Sequence, residues 1–230
     1  MEVCELWRKR PKSFWKSNVD LIIDNKKFLI PTSRMALKRL RQRKVRGVPR
    51  TRAEGVSRGF TKPNARKHRS NPGGYVNICA GICGDRVVLW EEVMGNWCAK
   101  RAAEMYAGPM AKTLKRLRPH KKSWLILEDN DPTGYKSNLA RKTKKENNMR
   151  VLEQPVYSPD LNPLDFSIWH AIEQRALSKA SGKESVAQFK ALLRRTALTL
   201  PRPLVAKAVF DIKKRSEAIF HAGGGNISCD

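Results

Sequence analysis

SWLILEDNDP (residues 123–132) is a short apolar run that ends in a cluster of turn formers. The run is too short for a helix and too apolar for an exposed strand, so it reads as a buried strand. Asp129 falls at its carboxyl end, where open α/β sheets gather their ligands. The flanking sequence supplies partners for such a strand. VDLIIDNKKFLI (19–30) is rich in Ile and Leu, carries Asp24 in its middle and reads as another strand. GYVNICAGIC (74–83) and RVVLWEEV (86–93) are parted only by Gly84-Asp85, a hairpin signal. MRVLE (149–153) reads as one more short strand.

Helical spacing fills the intervals. Residues 98–118 place Ala102, Met105, Tyr106, Met110, Leu114 and Leu117 on one broad face, with Pro109 expected to kink or split the helix. Residues 135–148 form a lysine-rich helical stretch. A further helix begins near Pro163, with Asn162 suited to the N-cap, Pro163 to N1 and Asp165 falling at N3. Phe166, Trp169, Ile172 and Ala176 trace its apolar face. Helices over 184–199 and 202–222, stopped by Gly223-Gly224-Gly225, complete the reading. The order predicts a mixed α/β sheet flanked by helices and followed by a helical tail. The expected division is a short N-terminal remnant (1–18), a core (19–180) and a C-terminal helical tail (181–230).

The charge is the unusual part of the composition. The 230 residues hold 47 Lys+Arg against 21 Asp+Glu, a formal net charge of +26. A field of that sign favours a polyanionic partner, with nucleic acid first and a membrane surface or ribosomal setting as the bland alternative. Much of the charge lies in 34–70, where fourteen Lys/Arg accompany the single acid Glu54. Scattered Gly and Pro argue against a regular element there, so 34–72 reads as a basic insertion or long loop. Within it, Arg39, Arg41, Arg43, Lys44, Arg46, Arg66, Lys67 and Arg69 are candidate nucleic-acid contacts, or else a solvated face. No apolar run approaches the roughly 20 residues that span a bilayer. The N-terminus has no secretory pattern. Five cysteines, an odd number without a C-x-x-C pair, read as reduced thiols of a cytosolic or nuclear protein.

Three carboxylates suggest a chemistry. Asp24, Asp129 and Asp165 come from separate elements and can converge only if the sheet brings them together. Converging like charges need a cation, and hard oxygen ligands suit Mg²⁺ or Mn²⁺. Two such ions, roughly 3.5–4 Å apart, clamp an in-line phosphoryl displacement. Each acid also has a structural reading. An acid at N3 complements the helix dipole, an acid at a strand end is a turn former, and Asp20 rivals Asp24. Spacing alone leaves these open.

LEDNDP (127–132), ENNMRVLEQP (146–155) and YSPDLNPLDFSIW (157–169) together resemble the signature of mariner-type cut-and-paste transposases, members of the DDE/D superfamily with a ribonuclease-H-like fold. The family pattern is an acid in a D-N-x-P turn, about thirty-five residues, then S-P-D-L-N-P and a last acid two residues later. Asp129 and Asp165 fill the two acid positions, with 35 residues between them. Asn130, Pro132, Ser158, Pro159, Asp160, Asn162 and Pro163 match the motif around them, which makes Asp160 a motif residue and not a ligand. Asp24-Asn25-Lys26-Lys27-Phe28 matches the family's D-x-x-K-F, which favours Asp24 over Asp20. KKRSEAIFHAGGG (213–225) resembles the family's closing helix and glycine turn.

The resemblance implies catalytic and metal-binding roles for Asp24, Asp129 and Asp165. It also implies two Mg²⁺ or Mn²⁺ ions, cleavage and joining of DNA, a possible homodimer, no membrane, no small-molecule cofactor, and a nuclear location in a eukaryote. The sequence departs from the pattern in places. Relatives carry a paired helix-turn-helix region of about a hundred residues before the first strand. Only about eighteen residues stand there in this chain, so the expectation is a catalytic domain without its own reader. Many relatives have a His after the D-N-x-P turn where Gly134-Tyr135 stands, and an aromatic where Gln154 stands. The alternative is a non-catalytic nuclear DNA-binding protein derived from a transposase.

Overall fold

A computed structural model describes residues 2–31, 33–42, 74–155 and 158–224. Its centre is a five-stranded sheet in the order β3-β2-β1-β4-β5. The strands are β1 (Leu21–Leu29), β2 (Tyr75–Cys83), β3 (Arg86–Glu92), β4 (Trp124–Leu127) and β5 (Met149–Leu152). β1, β2 and β3 form an antiparallel meander, while β4 and β5 continue parallel to β1. The hairpin turn is the two residues Gly84-Asp85, with Gly84 at φ 60°. That left-handed value at the first turn position suits Gly.

Alternation along β1 builds two faces. Leu21 and Ile23 join one cluster with Cys79, Leu89, Trp124 and Ile126. Ile22 and Phe28 join the other with Ile78, Ala80 and Trp90. The first face is covered by α4 (Ala99–Met105), α5 (Ala111–Leu117) and α6 (Asn138–Glu146). A π-helical turn, Tyr106–Met110, joins α4 to α5 and contains Pro109. Proline lacks the N–H that an α-helical turn would use, so the helix widens where the sequence predicts a kink.

The second face is covered by α1 (Glu2–Lys9), α2 (Lys12–Ser17), α7 (Trp169–Lys179), α8 (Val186–Leu198) and α9 (Arg202–His221). Cys4, Trp7 and Trp15 of α1 and α2 are buried in the same cluster as Val205, Val209 and Ile212 of α9. One core therefore runs through all three of the segments expected from sequence. α8 opens with a capping box formed by Ser185 and Gln188. α9 closes with Gly223 N–H on the Phe220 carbonyl (3.1 Å) and Gly224 N–H on the Ile219 carbonyl (2.9 Å), both glycines at positive φ. This is the Schellman pattern that the glycine stop predicts.

The start of the basic stretch is regular, against the expected loop. Arg34–Arg41 is a helix, α3, capped by Ser33 Oγ, which accepts from Ala36 N at 3.1 Å. Its eight residues contain no Gly or Pro, since those begin only at Gly47. The cap and a run of helix formers decide locally. The remainder of the insertion, 43–72, lies outside the described residues, and with it Arg43, Lys44, Arg46, Arg66, Lys67 and Arg69. Among the described residues, no helix is long and apolar enough to cross a membrane.

Candidate active site

Asp24 sits on the β1 face that looks toward α7. It is only 7% exposed, and its carboxylate accepts a hydrogen bond from the Trp169 indole N–H at 2.6 Å. Burial pushes its pKa well above the usual carboxylate value, and the charge of Asp165 adds to the shift. Asp165 stands in the first turn after Pro163, on a π-helical turn, Leu164–Ile168, that runs into α7. Asn162 caps this turn, its side-chain oxygen accepting from Leu164 N at 3.0 Å. The same side chain donates to the Ile23 carbonyl at 3.1 Å and is fully buried. One residue thus holds the helix that carries Asp165 against the strand that carries Asp24.

Asp165 opens onto solvent on its cleft side, yet the walls crowd it. Desolvation is the largest cause of a pKa raised to about 6, opposed by its hydrogen bond with Asp24 and reinforced by the charge of Asp129. Asp129 follows β4, and its carboxylate accepts from the N–H of Asn130 at 2.6 Å. Asn130 donates its side-chain amide to the Gln154 carbonyl, and the buried Gln154 donates to the Ser158 carbonyl at 2.6 Å. This chain of bonds ties the turn after β4 to the loop after β5. Asp24, Asp129 and Asp165 therefore line one cleft of about 790 Å³, with Pro159 at its edge.

The remaining motif acids divide by contact. Asp131 folds its own turn, accepting from Thr133 N at 3.1 Å and Gly134 N at 3.0 Å. Asp160 is not among the residues lining the cleft. Its carbonyl accepts from Arg215 of α9 at 3.4 Å. Asp20, the rival of Asp24, is buried and committed to structure. It accepts from Lys121 at 2.6 Å and from Leu125 N at 2.9 Å.

The space at Gly134 is taken. A Cβ there would strike the Trp97 indole nitrogen. Trp97 lines the cleft and meets the buried Tyr135 ring at 4.9 Å between centroids, while Tyr135 donates its hydroxyl to Asn25 at 3.2 Å. Tryptophan therefore fills the room that a side chain at 134 would need.

Three carboxylates lining one cleft suit a hard divalent metal, and the repulsion between Asp24 and Asp165 marks charge in want of neutralising. Among the described residues, no three His, Cys, Asp or Glu are already drawn around one point. The donor chemistry fits, since all three acids line the same cleft.

Neither Trp169 nor Trp97 carries a functional signal in the sequence. Trp169 was legible only as a core residue, although its place four residues beyond Asp165 sets both on one helical face. Of the two described candidates for nucleic-acid contact, Arg39 is exposed, its guanidinium reaching Met35 Sδ at 3.6 Å. Arg41 is exposed as well and has partners within the fold. It donates to the carbonyls of Leu177 (2.7 Å), Ser178 (3.3 Å) and Ala180 (2.8 Å), capping the end of α7.

The fold recurs in known proteins. The catalytic domain of the Mos1 mariner transposase superposes with a TM-score of 0.70 at 18% identity, covering 99% of this chain and 93% of that one. The fold is that of a mariner transposase catalytic domain. The Mos1 mariner paired-end complex with Mn matches at 22% identity and a TM-score of 0.70, covering 99% of this chain and 62% of that one. In sequence, the Tcb1 transposase of Caenorhabditis briggsae is 30% identical over 108 residues, 45% of this chain. The match spans 36% of that protein's length. No protein-family model matches the chain.

Proposed function

We propose that this chain is the catalytic part of a mariner-type DNA transposase that cuts and joins DNA strands, with Asp24, Asp129 and Asp165 as its metal ligands. The observation that carries the reading is that acids from β1, the end of β4 and the start of the α7 helix line one cleft of this fold. Two Mg²⁺ or Mn²⁺ ions are the proposed complement, and DNA and a second copy of the chain are the proposed partners. In a eukaryote the work would be nuclear. Bound there, the metal would lower the pKa of a water or a 3′-hydroxyl and neutralise the leaving oxygen.

The chain's own residues supply orientation. Asn162 fixes the distance between two carboxylates, and Asn130 fixes the turn that bears the third. Trp169 fixes the rotamer of Asp24. Trp169→Phe keeps the ring in the core and removes the donor. It is expected to weaken Mn²⁺ binding about 10–100-fold, the usual cost of losing a partner that orients a metal ligand. A Mn²⁺ titration of Tm reads this, and unchanged affinity would remove the role.

The function itself is tested on a supercoiled plasmid, a substrate that needs no sequence reader. Wild type with Mn²⁺ is expected to produce nicked circles, and Asp129→Ala to produce none above background. Equal activity in the two, including none in both, would sink the enzymatic reading in favour of a non-catalytic DNA-binding protein.

A further inference from the structure

A second groove lies across the 129–135 turn from the aspartates. Its volume is about 640 Å³, and its lining includes Lys136, Arg141, Lys144, Lys145 and Arg150. Only two acids join them, Glu128 and Glu153. Glu128 does not offset the exposed cations. It is 1% exposed, accepts from the Tyr106 hydroxyl, and is paired with Lys144 at the groove floor. That leaves Lys136, Arg141, Lys145 and Arg150. None of these four makes an ion pair among the described residues. Their neighbour Lys142 is by contrast matched to Glu146.

The fold assembles this cluster from three places. Lys136 comes from the turn after Tyr135, Arg141 and Lys145 from one face of α6, and Arg150 from β5, the outer strand of the sheet. Gathering like charges without partners is unfavourable in the free protein. Lys144 registers it, its pKa lowered first by burial and further by Lys136 and Arg141. A bound anion relieves that repulsion.

The groove and the aspartate cleft share a wall. Glu128 and Lys136 face the groove, while Asp129, Asp131 and Tyr135 face the cleft. We propose that this groove between α6 and β5 is a DNA-backbone site, separate from the aspartates, that holds phosphates of the strand leading to them. The site rests on the DNA reading above. Long flexible cations dominate it, so it takes sugar-phosphate irrespective of base sequence.

The test measures binding in chelator, so that catalysis plays no part. A labelled duplex of arbitrary sequence is titrated at several KCl concentrations. One variant combines K136Q, R141Q, K145Q and R150Q. Its control combines K12Q, R202Q, K207Q and K214Q, exposed cations on α2 and α9, and so has the same net charge. Both are first shown to melt as wild type does. The groove variant is expected to bind at least about tenfold more weakly, and its slope of log K against log salt to flatten by up to about 3.6, since each phosphate contact contributes about 0.9. The control is expected to flatten by less than about 1.

Equal flattening in both variants would mean a diffuse field and overturn the groove. So would no flattening in either. Competition by polyglutamate as effective as by unlabelled duplex would overturn it in favour of an acidic protein partner. A protein that binds through the groove but never nicks a plasmid loses only the enzymatic reading. One that nicks but shows equal slopes loses only the groove.

Discussion

Asp165→Asn is expected to melt higher than wild type in metal-free buffer, to gain nothing from Mn²⁺, and to nick DNA at least about a hundredfold more slowly, since even outer partners of a metal command that factor. The stability half follows from linkage. Burial first, with the charge of Asp129 added, raises the folded-state pKa of Asp165 to about 6. A carboxylate whose folded pKa lies above its unfolded one binds protons more tightly in the fold. The stability it contributes is fully present below the unfolded pKa and is lost as pH rises through about 6. Metal-free wild type should therefore lose Tm between about pH 4 and pH 7, and the amide variant should lose less. Mn²⁺ competes with the proton for wild type, so its stabilising effect should fade as pH drops below about 6. A variant that keeps the wild-type pH profile and the Mn²⁺ shift would show that Asp165 is a surface acid and no part of a metal site.

The second large effect concerns the floor of the groove. Lys144→Met should lower stability by about 3–5 kcal/mol, because it leaves the Glu128 carboxylate buried without its cation. For a domain of this size that is a fall in Tm on the order of 10 °C. Glu128 is already raised by burial, with Lys144 the chief influence holding it down. Without Lys144 it should take up a proton more readily, so the deficit should shrink in acid. Adding Glu128→Gln to Lys144→Met should recover much of the loss, since Tyr106 can still donate to the amide oxygen. Two single losses that simply add in the double variant would show that the pair is not coupled.

What could be read from the sequence was local. The Asn162 cap, the Pro163 start and the position of Asp165 lie within four residues, and cap chemistry acts over that range. β4 and its terminal Asp129 were legible for the same reason. The meeting of Asp24 with Asp165 was not. It depends on β1 lying between β2 and β4, and on the Asn162 side chain reaching Ile23 across 139 positions of sequence.

One misreading has a plain cause. The helix Arg34–Arg41 was masked by Gly and Pro farther along a stretch judged as a whole. Arg41, a candidate DNA contact by charge alone, also has partners that charge does not name, three carbonyls of the 177–180 segment. Trp169 was read as apolar, since periodicity reports burial and is silent about an indole N–H.

The grip of Arg41 on the end of α7 has a consequence for how this chain can change over evolutionary time. Asp24 and the other two aspartates lie on opposite sides of the basic insertion in the sequence. Their alignment is nevertheless secured by strand pairing, by Asn162 and by this arginine, all outside residues 43–73. Among the described residues, the register of the carboxylates is thus set at a few positions, and a change at Asn162 or Arg41 would move the acids relative to one another.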